Sequence, residues 1–337
     1  MTHQTFWGSF LRMNETTNEF PATLTAAIKY FANPDAALNF VASIRWQDGK
    51  AVCPCCKSTN AAFLATRRLW KCRDCKKQFS VKVGTIFEDS PLGLDKWLPA
   101  FWMIVNAKNG ISSCEVARAL GVTQKTAWFM LHRIRLAMQN NSMDKLSGEV
   151  EADETYIGGK VRRMNTAQRN KHGRGTGWTG KEIVMGLLER GGKVKLKHLR
   201  TTKRHDVQGE IRQNVEAGSQ VYTDTLRSYN GLNKDYVHEA IDHARSYVRG
   251  KCHTNGLENF WSLLKRGIRG TYISVEPFHL FRYLDEQAFR FNERENTDSG
   301  RFLMGIIGII GKRLQYATLT GKDGLGGSET AGTWQAA

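Results

Sequence analysis

Residues 149–158 read "EVEADETYIG", and this run marks the point where the chain changes character. Everything before it favours helices or is crowded with cysteine. After it come "EIVMGLLER" (182–190) and "VKLKHL" (194–199), both β-favouring and joined by Gly191-Gly192, a pair that suits a hairpin. A helix-like stretch, "RHDVQGEIRQNVEAG" (204–218), follows, then the strand "SQVYTD" (219–224), a further candidate strand "DYVHEAI" (235–241), and a helix within 253–266. Three strands, a helix, a strand and more helices predict an α/β domain with a mixed sheet over residues 148–295.

On the N-terminal side the chain divides into three parts. Residues 1–45 comprise a loose leader and two short helices in "PATLTAAIKYFANPDAALNFVASIRW", interrupted by "NPD". Residues 46–85 hold most of the cysteines. Residues 90–145 read as three helices, with Asp95, Ser112 or Ser113, and Thr123 as their N-caps. Residues 296–337 form an apolar helix and a tail, "TGKDGLGGSETAGTWQAA", whose composition predicts disorder.

The 337 residues are 41% apolar, enough for two or three compact cores. Lys+Arg exceed Asp+Glu by 49 − 32 = 17, which favours a polyanionic partner, nucleic acid above all. The most apolar run, "FLMGIIGIIG" (302–311), is too short to span a bilayer, and the first twenty residues lack a secretory pattern. These features predict a soluble, cytoplasmic protein with no membrane partner.

Seven cysteines in a reducing compartment point to metal rather than disulfides. Cys53-Pro54-Cys55-Cys56, fifteen residues, then Cys72-Arg73-Asp74-Cys75 forms C-x2-C…C-x2-C. Two such knuckles offer four thiolates, Cys53, Cys56, Cys72 and Cys75, to one tetrahedral zinc. Four protein ligands close the site, so this zinc is structural. Cys114 and Cys252 lie on unrelated segments and are expected to be packed. Arg67, Arg68, Lys71, Arg73, Lys76 and Lys77 crowd the same segment and suit phosphates or plain solvation equally.

"SSCEVARALGVTQKTAWFMLHRIR" (112–135) has the pattern of a helix-turn-helix, with Leu-Gly-Val at the turn. In that mode Gln124, Lys125 and Thr126 face base edges, while His132, Arg133 and Arg135 lie nearer the DNA backbone or the surface. An ordinary helical hairpin is the competing reading.

Three acids stand apart. Asp153 lies on the first strand with Glu151 and Glu154 close by, Asp224 closes a later strand, and Glu258 lies 34 positions further on in "HTNGLENFWSLLKR" (253–266). In that helix Asn255, Glu258, Ser262 and Lys265 fall on one face, with apolar residues on the others. Brought together, three carboxylates cannot all stay ionised without a cation. A pair of Mg²⁺ ions about 4 Å apart would resolve the repulsion and clamp an in-line phosphoryl displacement. Lys265 projects from the same face toward an incoming phosphate. His253 and Arg266 flank the helix and suit a phosphate contact or a plain surface role equally.

Longer motifs carry a resemblance. "RWQDGKAVCPCC", "WKCRDCKKQFSVKVGTIFEDS", "KWLPAFW", "ALGVTQKTAWFMLHRIR", "DETYIGGK", "NKHGRG", "YTDTLRSYNGL" and "HTNGLENFWSLLKRGIRGTY…RYLDEQAFRFNER" resemble the DDE transposases of bacterial insertion sequences. The similar group carries a zinc ribbon, is related to the Merlin transposons, and has an ISXO2-like transposase domain. The resemblance runs from about residue 20 to 295. It implies a ribonuclease-H-like mixed-sheet catalytic domain preceded by the zinc ribbon and helix-turn-helix. It also implies Asp153, Asp224 and Glu258 as ligands of Mg²⁺ or Mn²⁺, and Lys265 as the basic residue seven positions after the third acid. Some relatives use Asn as the third member, which makes Asn255 the alternative; an ionised carboxylate is the better hard-cation ligand. The segment 160–181, "KVRRMNTAQRNKHGRGTGWTGK", is a basic, Gly-rich connection longer than the family's shorter forms. The implied function is Mg²⁺-dependent cleavage and strand transfer of transposon-end DNA by a homo-oligomer. The competitors are a DNA-binding regulator without catalysis and a nuclease of the same fold that cuts structured DNA.

Overall fold

The computed structural model describes residues 20–139, 144–158, 181–241, 253–273 and 275–322. The leader before Phe20, most of the basic connection 160–181, Cys252 and the tail from 323 onward lie outside the described residues.

The elements follow in order: α1 (Leu24–Phe31), α2 (Pro34–Arg45), β1 (Ala61–Leu64), β2 (Leu69–Cys72), β3 (Gln78–Phe79), α3 (Leu94–Asn106), α4 (Ser113–Leu120) and α5 (Gln124–Met138). After these come β4 (Glu149–Ile157), β5 (Glu182–Glu189), β6 (Val194–Leu199), α6 (Arg204–Asn214), β7 (Gln220–Asp224), β8 (Val237–Ile241), α7 (Asn255–Arg266), α8 (Leu280–Asn292), α9 (Asp298–Ile307) and α10 (Tyr316–Leu319). They cluster into two compact units. One gathers residues up to Asn106 with Val116–Ala137 and Glu295–Gln315; the other gathers Ala107–Glu115, Met138–Arg294 and the residues from Tyr316.

In the first unit, Asn33 caps α2 by accepting from the backbone N–H of Asp35 and of Ala36, so "NPD" separates two helices. Helix α3 starts at Leu94, with Gly93 accepting its first amides, so Asp95 sits inside the first turn and is not the cap. Ser112 and Glu115, residues of the second unit, form a reciprocal capping box at the start of α4, and Thr123 of the first unit caps α5. The core is aromatic and draws on a distant segment. Phe302 of α9 has the rings of Phe20, Phe31, Phe40, Phe101 and Trp102 at centroid distances of 6.2, 5.8, 5.8, 5.8 and 5.1 Å. The apolar run near the C-terminus is therefore core of this unit. No described helix is long and apolar enough to cross a membrane.

The second unit is built on a five-stranded sheet of order β6-β5-β4-β7-β8. β4, β5 and β6 form an antiparallel meander, and β7 and β8 add in parallel beside β4. Alternation sends successive side chains to opposite faces. Val150, Ala152, Met185, Leu187 and Val221 bury one face together with Val207 and Ile211 of α6. The other face packs Val184, Leu188 and Ile157 against Leu257, Phe260, Trp261 and Leu264 of α7 and Leu280 and Leu284 of α8.

Helix α7 lies unusually close to that sheet because two glycines leave room. A Cβ on Gly186 would stand 2.7 Å from Trp261 and 2.8 Å from Leu257, and one on Gly256 would stand 2.7 Å from Leu188. Gly186→Ala is expected to lower stability by about 1–3 kcal/mol, the usual range for overpacking a tight core. Chemical denaturation checks it; an unchanged midpoint would show that the helix can retreat freely.

Candidate active site and cysteine cluster

The four cysteines come from two turns that repeat each other. Lys57 and Lys76 each follow the second cysteine of a pair, and both hold φ at 62°, the left-handed bend that folds each knuckle. The sulfurs of Cys53 and Cys75 are 3.6 Å apart and those of Cys56 and Cys72 3.5 Å, too far for a disulfide. Four sulfurs around zinc at 2.3 Å stand about 3.8 Å apart, close to what is seen. All four lie within 4.8 Å of one another, the only such group of potential metal ligands among the described residues. The Cys53 thiol is drawn down to about 7, first by the backbone N–H of Cys56, which favours thiolate. Cys55 is exposed and stands outside the group, and Cys114 is exposed rather than packed because it sits on the solvent side of the first turn of α4.

Arg67, Arg68, Lys71, Arg73, Lys76 and Lys77 are all exposed on the ribbon. Gln124 and Lys125 are exposed on the first turn of α5, Thr126 is half-buried, and Gly121 at φ 62° makes the turn between α4 and α5. Arg133 and Arg135 depart from the sequence reading. They are 4% and 1% exposed, and His132 is fully buried. The C-terminal half of α5 is enclosed within its unit, so the Arg133 guanidinium donates to the carbonyls of Leu314, Ile86 and Glu88 at 3.0, 3.0 and 2.7 Å. Three buried carbonyls would lose their donors in Arg133→Met, at about 1–3 kcal/mol each. That variant is expected to melt earlier while keeping DNA affinity below its melting point; Lys125→Ala should do the reverse.

In the second unit, Glu151, Asp153, Tyr222 and Asp224 share the sheet face that α7 covers. Glu151 pairs with Tyr222 at the end of the β4–β7 ladder, and Asp153 and Asp224 each lie two residues further along their own strand on the same face. Glu258 lies on α7 above them and is exposed, as is Asn255 one turn earlier. Burial pushes the Asp153 carboxyl up to about 6; the Trp261 indole N–H, donating at 2.8 Å, opposes the rise, and the negative charges of Asp224 and Glu258 add to it. Lys265 is half-buried on the same helix; burial lowers its pKa while the negative charge of Asp153 works the other way. The structure thus brings Asp224, Glu258 and Lys265 each within electrostatic reach of Asp153. A carboxyl held up by burial and like charge among hard oxygen donors is what a divalent cation would relieve, so these residues fit Mg²⁺ or Mn²⁺. The three acids are not drawn as close together as the cysteines.

Three further groups surround this face. Trp261 orients Asp153 through its indole. Tyr229 donates to Glu154 at 2.5 Å on the opposite face, where burial pushes that carboxyl up to about 8. Glu151 is buried beneath the start of α7, bonded to Arg190 and to the backbone of α7, and His253 lies beside this pair instead of at the surface. Strand alternation already puts Glu151 on the face of Asp153; its partners, far off in sequence, carry no such signal.

Comparison with known proteins identifies two transposase domains in the chain. Residues 145–292 match the ISXO2-like transposase domain, and residues 32–78 match the transposase zinc-ribbon domain. A protein of the transposable element ISH50 from Halobacterium salinarum, itself uncharacterized, is 29% identical over 252 residues, covering 71% of this chain and 84% of its own length. An uncharacterized transposase-like protein of Haemophilus influenzae is 36% identical over 86 residues, covering 25% of this chain and 69% of its own.

Proposed function

This chain belongs to the insertion-sequence transposases that join a zinc ribbon to an ISXO2-like domain, and on that footing we propose that it cuts and joins DNA at the ends of its own element, with Asp153, Asp224 and Glu258 as its cation-holding acids. What supports this reading is that Asp153, on the sheet face that α7 covers, has its carboxyl raised by the negative charges of both Asp224 and Glu258 as well as by burial. An antiparallel meander followed by two parallel strands, in the order β6-β5-β4-β7-β8, supports a ribonuclease-H-like domain.

Magnesium or manganese held by the three acids would neutralise phosphate charge and clamp the attacking and leaving oxygens. The chain's own residues orient and bind. Trp261 fixes the Asp153 carboxylate, and Lys265 presents its ammonium to the phosphate. Water attacks phosphorus, the P–O3′ bond breaks, and the freed 3′-hydroxyl then attacks target DNA with loss of a second 3′ oxygen. No covalent protein intermediate is required. Gln124, Lys125 and Thr126 at the start of α5, in a helix-turn-helix, read the terminal inverted repeats, and the basic ribbon holds phosphates. Two ends must be cut together, so the working form is a homo-oligomer on cytoplasmic, nucleoid DNA.

The test is to incubate purified protein with DNA carrying its element's ends and Mg²⁺. End cleavage and strand transfer are expected, with loss in Asp153→Ala and Glu258→Ala. Retention in Glu258→Ala with loss in Asn255→Ala would move the third ligand to Asn255. A DNA-binding regulator would bind the ends and cut nothing.

A further inference from the structure

Helix α7 begins without a cap of its own: the Thr254 side chain makes no capping bond. Its place is taken from the sheet. Glu151, 1% exposed, accepts the backbone N–H of Leu257 on Oε2 at 3.0 Å. Its other oxygen, Oε1, takes Arg190 Nε at 3.0 Å and lies 3.4 Å from His253 Nδ1. The guanidinium continues outward, donating to Glu149 at 2.9 Å and to the His253 carbonyl at 2.9 Å, with its plane 4.1 Å from the Tyr222 ring. One ion pair, its carboxylate buried and its guanidinium partly exposed, therefore ties β4 to the chain just before α7, at His253, and within its first turn, at Leu257. The residue after Leu257 is Glu258.

We propose that Glu151, held by Arg190, is a positioning residue: it fixes the start of α7 against β4 so that Glu258 emerges over Asp153 and Asp224. This rests on the reading of those three acids given above. Fold stability alone needs no such device here, because Leu257, Phe260, Trp261 and Leu264 already pack α7 on the sheet in a buried apolar cluster. Replacing a buried ion pair with apolar residues is often neutral or stabilising. Apolar packing also tolerates small slides and rotations of a helix, whereas a carboxylate bonded to one named amide does not. A displacement of about 1 Å at a reacting centre can cost on the order of 10²-fold in rate. The negative charge also complements the positive end of the α7 dipole.

Three variants test it: Glu151→Ala, which removes the tie; Glu151→Gln, which keeps an acceptor for Leu257; and Gly256→Ala, whose Cβ would stand 2.8 Å from Glu151 Oε2 and so push the helix off its anchor without removing a polar group. Readouts are end cleavage, end binding, half-saturating Mg²⁺, and amide hydrogen exchange in metal-free protein. Glu151→Ala is expected to cut about 10–100-fold more slowly, the range for outer partners of metal-ligating groups. It should also need more Mg²⁺ and exchange faster at 255–258, with end binding unchanged. Glu151→Gln should recover most of the rate. If Glu151→Ala does not fold, Gly256→Ala carries the same expectation. Wild-type cleavage and exchange in Glu151→Ala, or equal losses in Ala and Gln variants together with lost end binding, would overturn the proposal. Asp224→Ala separates the two ideas: if it still cuts, the catalytic assignment fails and takes the inference with it. If it is inactive while Glu151→Ala behaves as wild type, the assignment stands and the brace alone is wrong.

Discussion

Asp224→Asn is expected to abolish end cleavage while leaving end binding and fold in place. The change is isosteric, and the Asn carbonyl oxygen can still accept the Leu226 N–H that Asp224 Oδ1 accepts at 2.9 Å, so the turn after β7 keeps its bond. What disappears is one negative charge beside Asp153, and with it one hard ligand for a divalent cation. Removing a preorganised group that stabilises transition-state charge costs roughly 10²–10³-fold, and a missing metal ligand should cost at least that. Stability should hold or rise, since the charge of Asp224 is one of those pushing the Asp153 carboxyl up. Binding should persist because the exposed bases of the ribbon and of α5 lie on other elements. Cleavage within a few-fold of wild type would remove the catalytic role; loss of end binding would point to misfolding.

Zinc removal should have the other large effect. The ribbon contains strands of four, four and two residues, and its buried side chains are few: Trp46, Ala51, Cys53, Cys72, Phe79, Val81 and Thr85, with Trp70 edge-on to Trp46 and stacked on Phe79. So little apolar burial cannot offset the entropy of ordering some forty residues, at about 1–2 kcal/mol each. Zinc binding in comparable small sites contributes an apparent 10–16 kcal/mol or thereabouts. Cys72→Ser or a strong chelator is therefore expected to unfold the ribbon, release one zinc per chain and abolish end binding. Cys55→Ser and Cys114→Ser should retain zinc, because neither joins the cluster. A Cys72→Ser protein that kept both its metal and its near-ultraviolet tryptophan signal would contradict this.

Much of this was readable in the sequence wherever a local rule governs. Cysteine spacing identifies the ribbon because each knuckle closes within a few residues. The strands of the second unit follow from β-favouring runs and the Gly191-Gly192 hairpin, and α2 from Asn33 and Pro34. Legibility ends where the decisive partner is distant. Arg133 and Arg135 look like the basic face of a DNA-reading helix; only the fold shows that both are buried, Arg133 against the carbonyls of Ile86, Glu88 and Leu314. The aromatic core around Phe302 joins residues 302 − 20 = 282 positions apart, so the domain divisions drawn along the chain do not coincide with the two compact units. Glu151 was visible as one more acid near Asp153. That it anchors α7 depends on Arg190, 39 positions away, and on an amide 106 positions away. The three acids were singled out through chemistry alone: carboxylates on separate elements, if brought together, repel one another unless a cation lies between them.

That convergence can be probed without any DNA. Iron(II) substituted for magnesium generates hydroxyl radicals that cut the polypeptide next to the bound ion. Our account predicts backbone cuts in three short stretches, around residues 153, 224 and 255–258, suppressed by excess Mg²⁺ and absent from Asp224→Asn. Cuts that spare any of the three stretches, or that persist unchanged in Asp224→Asn, would mean that these side chains do not share a metal.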